Sequence, residues 1–206
     1  GDVYKRQQQG VEFNLLPAVI WIVVATLVLL FLFTGSVILP IKAVLLNVIS
    51  LGAVLGVLNW IFAKDGIPAF TSQFIKTGTV DTSSIVLMTV VAFGLSMDYE
   101  LFLLSRIKEQ HEHGLSTTES VAVGLQRSGR IITAAALVLA VSFAAFAFSG
   151  VSIMKLLGVG ISLAILLDAT VVRALMVPAL MRLFGEWNWW APKWLKWVYD
   201  RFGLKD

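Results

Sequence analysis

The chain has 206 residues, 58% of them hydrophobic and only 14% charged, with a mean hydropathy of +0.85. Soluble domains carry about one-quarter charged residues, so a water-soluble globular enzyme is excluded at the outset. The net charge of +3 is small and cysteine is absent, which removes disulfides, thiolate chemistry and cysteine metal sites.

A helix needs about 20 apolar residues to cross a hydrocarbon core of ~30 Å. Five stretches qualify: residues 15–39, 41–62, 83–105, 130–150 and 152–181. In lipid a backbone satisfies its polar groups internally, so each is expected to be a helix. The fold class expected is an all-α membrane protein, with a five-helix transmembrane bundle over residues 15–182. Residues 1–14 would be an extracytoplasmic stub. Its opening residues 1–7 have no membrane or capping logic and are set aside as a candidate assembly scar. Pro40 is expected to separate the first two spans, and Gly150, Val151 and Ser152 the last two. The wider gaps are 63–82, with Gly66, Pro68 and Gly78, and the charged stretch 106–129.

Basic residues orient such a bundle. One side would carry ten: Lys42, Arg106, Lys108, Arg127, Arg130, Arg182, Lys193, Lys196, Arg201 and Lys205. The other would carry five: Lys5, Arg6, Lys64, Lys76 and Lys155. The richer side is expected to be cytoplasmic, which places the C-terminus inside and the N-terminus outside. Residue 1 is Gly and the first methionine is Met88. The chain is therefore expected to be the C-terminal piece of a longer protein, with at least one span upstream.

After Arg182 the composition changes. Residues 183–206 hold Trp187, Trp189, Trp190, Trp194 and Trp197, interleaved with Lys193, Lys196 and Arg201. Indoles favour the headgroup layer and basic residues the anionic inner leaflet. A short interfacial helix starting near Pro192 is expected, in preference to an aromatic cage for a cation.

Charges inside a bilayer are expensive and point to function. In the third span Asp98 lies about 12 Å along the helix from Arg106, a little to the cytoplasmic side of the midplane. Asp168 is near the middle of the fifth span. Glu100 is nearer the surface than Asp98, on a face rotated by roughly 200°, and is the least committed of the three. A carboxylate held out of water has its pKa raised and can take and release a proton. Tyr99 beside it supplies a hydroxyl able to donate to a carboxylate on another helix. The alternative is an interhelical hydrogen bond that only holds the bundle together. Asp168 and Arg173 are about 140° apart on a straight α-helix, poorly placed to pair with each other. A structural ion pair with another span and a role in coupling stay equally open for them.

The remaining features read as packing or solvated surface. Gly52 and Gly56 form a small-xxx-small face, Gly94 leaves room for a neighbouring helix, and the alanines of the fourth span keep it thin. Asn47, Asn59 and Ser142 are candidates for hydrogen bonds between helices. His111 and His113 lack further ligand spacing, so no metal site is expected. No phosphate loop, nucleophile elbow or zinc helix motif appears. Topology accounts for the basic residues, so nucleic-acid binding has no support.

Residues 94–106, Gly-Leu-Ser-Met-Asp-Tyr-Glu-Leu-Phe-Leu-Leu-Ser-Arg, resemble the signature of the MMPL family, transporters of the resistance-nodulation-division (RND) superfamily. Leu39 to Asn47 resemble the family's turn between two spans. Asp168 to Arg173, Val177-Pro178-Ala179, Trp189 to Pro192 and Trp194 resemble its last span and exit. The likeness covers residues 35–197, in order and at plausible spacing.

The resemblance implies the last five spans of the second half of an RND protein in a bacterial inner membrane. Members export lipids and other hydrophobic molecules, driven by protons rather than by a bound cofactor. By the same likeness Asp98 and Tyr99 would be the proton relay, partnered by a matching pair in an N-terminal half that this chain lacks. Asp168, Arg173 and Ser96 would join a coupling network around it. Gly35 departs from the family, which commonly has a basic residue there, and Ser83-Ser84 replaces a stretch that often contains proline. Membrane lipids, a hydrophobic substrate and the absent half are the implied partners; the sequence leaves the oligomeric state open. The alternatives are a non-transporting lipid sensor or scaffold of sterol-sensing type, and a drug or solute exporter. An upstream second Asp–Tyr pair would separate transport from sensing.

Overall fold

The computed structural model describes the backbone of residues 2–63 and 82–203, and the side-chain surroundings of 17–60, 84–151 and 153–203. Among the described residues there is no strand, and the helices are α1 (Asp2–Thr34), α2 (Ile38–Ala63), α3 (Thr82–Glu112), α4 (Thr117–Ala144), α5 (Ser152–Leu167), α6 (Val177–Phe184) and α7 (Lys193–Phe202). Two 3₁₀ turns, Ala145–Phe148 and Gly185–Trp189, and a π-helix, Asp168–Met176, complete the elements. Five of the resulting helical stretches are long and apolar enough to span a membrane. The all-α membrane class expected from hydropathy is the class found. The expected gap at 63–82 falls almost wholly outside the described residues.

Two boundaries differ from expectation. The first pair of spans is separated at Gly35 rather than Pro40. Gly35 has φ +68°, in the left-handed region that favours glycine. Pro40 instead sits buried in the first turn of α2, where a missing N–H has no intrahelical partner to lose. The charged stretch 106–129 is mostly helix rather than loop. α3 runs on to Glu112, the chain turns at Gly114 with φ +92°, and α4 begins at Thr117. A reciprocal cap starts α4. The Ser116 hydroxyl accepts from the Glu119 N–H at 3.3 Å, and the Ser116 N–H donates to the Glu119 carboxylate at 3.1 Å, the capping-box arrangement. Hydropathy detects only the part of a helix that lies in lipid, so it misses turns that project beyond it.

The chain divides into two compact units, residues 1–44 with 187–206, and residues 45–186. In the first, the turn after α1 is tied to the tryptophan-rich tail. The Ser36 hydroxyl donates to the Asn188 carbonyl at 2.5 Å, and the Val37 N–H donates to the Trp190 carbonyl at 3.2 Å. The Lys42 ammonium donates to the Asn188 side-chain oxygen. Tyr199 of α7 meets Phe31 edge-on, 6.2 Å between ring centres, while Trp194 and Trp197 are exposed. The short helix expected after Pro192 is α7, with Pro192 at its N-cap.

In the second unit the core is built from Val54 and Leu58 of α2, Met88 and Ala92 of α3, Ala136 and Ala140 of α4, and Ile161 and Ile165 of α5. Polar bonds cross between helices here: the Asn47 amide donates to the Phe93 carbonyl at 3.5 Å, and the Ser162 hydroxyl to the Ala140 carbonyl at 2.8 Å. Among the described residues Ser142 bonds within its own helix, to the Val138 carbonyl. Close approaches occur at glycines other than those expected. A Cβ at Gly158 would meet the Phe143 carbonyl at 2.6 Å, and one at Gly124 would meet Ile107 at 2.7 Å, whereas Gly52, Gly56 and Gly94 have nothing within 4 Å. A small-xxx-small spacing marks a flat helix face without naming what lies against it. On these three glycines nothing does among the described residues.

Candidate functional site

The site forms where α3 passes the π-helix. Five residues separate Asp168 from Arg173. In an α-helix, which repeats every 3.6 residues, that spacing sets them well apart around the axis. A π-helix bonds i to i+5, so the fifth residue comes back over the first. The Val177 N–H donates to the Val172 carbonyl in this pattern. Pro178 lies directly beyond, and its ring would crowd the carbonyl four residues back in tight α winding. The poor pairing expected on a straight helix is thus overturned: Arg173 Nη2 forms an ion pair with Asp168 Oδ2. Both residues are 4% exposed.

Arg173 also reaches α3. Its Nη2 donates to the Ser96 carbonyl at 3.4 Å, and its guanidinium carbon lies 4.8 Å from the centre of the Tyr99 ring, within cation–π range. The Arg173 Nε and Nη1 atoms and the Ser96 hydroxyl are buried without a hydrogen-bond partner among the described residues. They border a cavity of about 10 Å³ that Tyr99, Asp168 and Ala136 also line. That volume is about the least that admits a single water. The cluster therefore joins four of the residues expected to matter: Ser96, Tyr99, Asp168 and Arg173.

Asp98 lies apart from it. Neighbours on an α-helix point about 100° from each other; Tyr99 turns inward to Arg173, and Asp98 is exposed. Asp98 makes no hydrogen bond or ion pair among the described residues. The enclosure expected for this carboxylate is not supplied by the described residues. Glu100 is 3% exposed, on the core side of α3, away from the exposed Asp98 as a rotation of roughly 200° between them implies. Gly94, four residues before Asp98, is exposed on the same face.

These residues lie within a stretch with many relatives. The MMPL family model matches residues 2–197. The chain belongs to the MMPL family. Within that family it is 44% identical over 198 residues to the trehalose monomycolate exporter MmpL3 of Mycolicibacterium smegmatis, covering 94% of this chain and 19% of the relative. It is 47% identical over 189 residues to the exporter of the same name from Mycobacterium tuberculosis, 91% of this chain and 20% of that one. It is 41% identical over 176 residues to the mycolic acid-containing lipids exporter MmpL11 of Mycolicibacterium smegmatis, 85% of this chain and 18% of the relative. The MMPL chain thus spans about one-fifth of the length of these relatives. It is a multi-pass membrane protein of a transporter family.

Proposed function

We propose that this chain is a membrane portion of a longer, proton-driven exporter of lipids or other hydrophobic molecules, in which Asp98 and Tyr99 pass the proton. The C-terminus would lie in the cytoplasm of a bacterial cell, as the ten-to-five distribution of basic residues favours. The observation that carries the proposal is the division of labour at adjacent positions on α3. Asp98 is exposed with no partner among the described residues, and Tyr99 is stacked on a buried arginine at 4.8 Å.

A carboxylate at membrane depth costs several kcal/mol unless protein, water or a partner surrounds it. The Asp98 face, kept smooth by Gly94, is accordingly where the rest of the longer protein would pack. Enclosed there, Asp98 would be charged in one state and neutral in the other. Tyr99 would follow by moving its hydroxyl between partners, and its ring would carry that movement to Arg173 and the Asp168 ion pair. The π segment is suited to respond, because such segments are single widened turns that cluster at functional positions. The names of the relatives support lipids as the cargo. Export itself is proposed for the longer protein alone.

The test is Asp98→Asn in the full-length parent. Proton-dependent export is expected to fall to background while the protein reaches the membrane at its normal level. Undiminished export by that variant overturns the proposal.

A further inference from the structure

Where α3 and α4 emerge from the apolar zone they enclose a second, larger cavity of about 220 Å³. α3 lines it with Phe102, Arg106 and Glu109; α4 lines it with Arg127, Ser128 and Ile131. We infer that this cavity binds the phosphate of an anionic phospholipid from the leaflet on the α3–α4 turn side.

Depth is the first support. Phe102 and Ile131 are exposed, and no large exposed hydrophobic side chain occurs between them along α3, the turn and α4. They mark the edge of the acyl-facing surface on both helices at once. Arg106 and Arg127 each stand four residues beyond that edge, about 6 Å or one turn along the axis. That is the level of lipid phosphates when Phe102 and Ile131 are at the level of the first methylenes.

Charge is the second. Arg106 is held by Glu109 at 2.9 Å, with both side chains near half exposure, and its guanidinium lies 5.4 Å from the Phe102 ring centre. Arg127 is exposed and has no ion pair or hydrogen bond among the described residues. The cavity therefore carries one uncompensated positive charge, matching the single negative charge of a phosphodiester. Arg127 supplies the forked donor geometry that suits phosphate, and the buried Ser128 adds a hydroxyl beside it. Because Glu109 is already engaged by Arg106, an ammonium headgroup would meet a net positive cavity, so a lipid without one is favoured. The volume fits a headgroup but not a lipid, whose chains would lie outside along Phe102 and Ile131.

The inference goes beyond the proton relay and stands without it. The test is native mass spectrometry of the chain released from nanodiscs of phosphatidylcholine containing phosphatidylglycerol. Wild type is expected to retain one phosphatidylglycerol in preference to phosphatidylcholine. Arg127→Ala is expected to reduce that preference about fivefold, the worth of one arginine near an anionic surface. Arg182→Ala, which removes the same charge from an exposed position that does not line the cavity, is expected to leave it unchanged. Equal retention of the two lipids by wild type, or equal losses in the two variants, overturns the assignment. So does displacement of the lipid by millimolar inorganic phosphate, which would make this a site for the free anion. None of these outcomes bears on export by Asp98→Asn, so the two proposals fail separately.

Discussion

Asp168 and Arg173, five residues apart in one helix, are buried together because the helix between them is wound as a π-helix. Removing one member of a buried pair leaves an uncompensated charge, at a cost of about 3–5 kcal/mol. Arg173→Ala is expected to destabilise the chain by that amount in a denaturation series in detergent. The double variant Asp168→Leu with Arg173→Met is expected to recover most of the loss, since apolar residues of similar volume often replace such pairs without penalty. A double-mutant cycle with no coupling would show that the two side chains act independently and that the π winding has another cause.

The two aspartates should separate cleanly in stability. Asp98 is exposed and unpartnered among the described residues, and changes at such positions stay within about 0.5 kcal/mol. Asp98→Asn is therefore expected to shift the melting temperature of the chain by no more than about 2 °C. Asp168→Asn strips the charge partner from buried Arg173 and is expected to lower it by about 6 °C or more. Similar shifts in thermal unfolding would mean that Asp98 has a structural partner.

Much of this architecture was legible from hydropathy, because the bilayer leaves only one economical backbone conformation for a long apolar segment. The five spans and the short helix after Pro192 follow from that constraint. The interruptions were less legible. A left-handed residue is announced by glycine, but Gly35 competed with Pro40, and proline is the louder signal. The π segment had one clue: an acid and an arginine five apart within a span, next to Pro178, are stranded on an α-helix and matched on a wider one. Which side of α3 faces the core was invisible at Asp98, Tyr99 and Glu100, since three polar residues in a row give no periodicity. The inward turn of Glu100 and the open face of Asp98 needed the packing of α2, α4 and α5 to decide.

Gly35 offers a test of the first unit. Its φ of +68° would strain any other residue, and a Cβ there would meet the Tyr199 ring at 3.0 Å. Left-handed backbone costs a non-glycine residue about 1–2 kcal/mol. Gly35→Arg is expected to destabilise by at least that much. Tryptophan fluorescence, reporting on the tail that contains Trp190 and Trp194, should change with it. A neutral effect would show that the turn relaxes without disturbing Tyr199.

The glycines give a sharper contrast, because the same substitution should have opposite signs at two positions. At Gly158 an added methyl meets the Phe143 carbonyl at 2.6 Å and the Ala147 nitrogen at 3.0 Å. These are backbone atoms, so the helices themselves would have to separate. Gly158→Ala is expected to cost about 1–3 kcal/mol through overpacking, outweighing the gain of up to about 1 kcal/mol in helix propensity. At Gly52 nothing lies within 4 Å, so Gly52→Ala should keep that gain and stabilise the isolated chain. Denaturation of both variants in detergent reads the difference. In the full-length parent Gly52→Ala should lose its benefit if the Gly52–Gly56 face is covered there. A stabilising effect that persists in the parent would show that this face meets lipid and not protein.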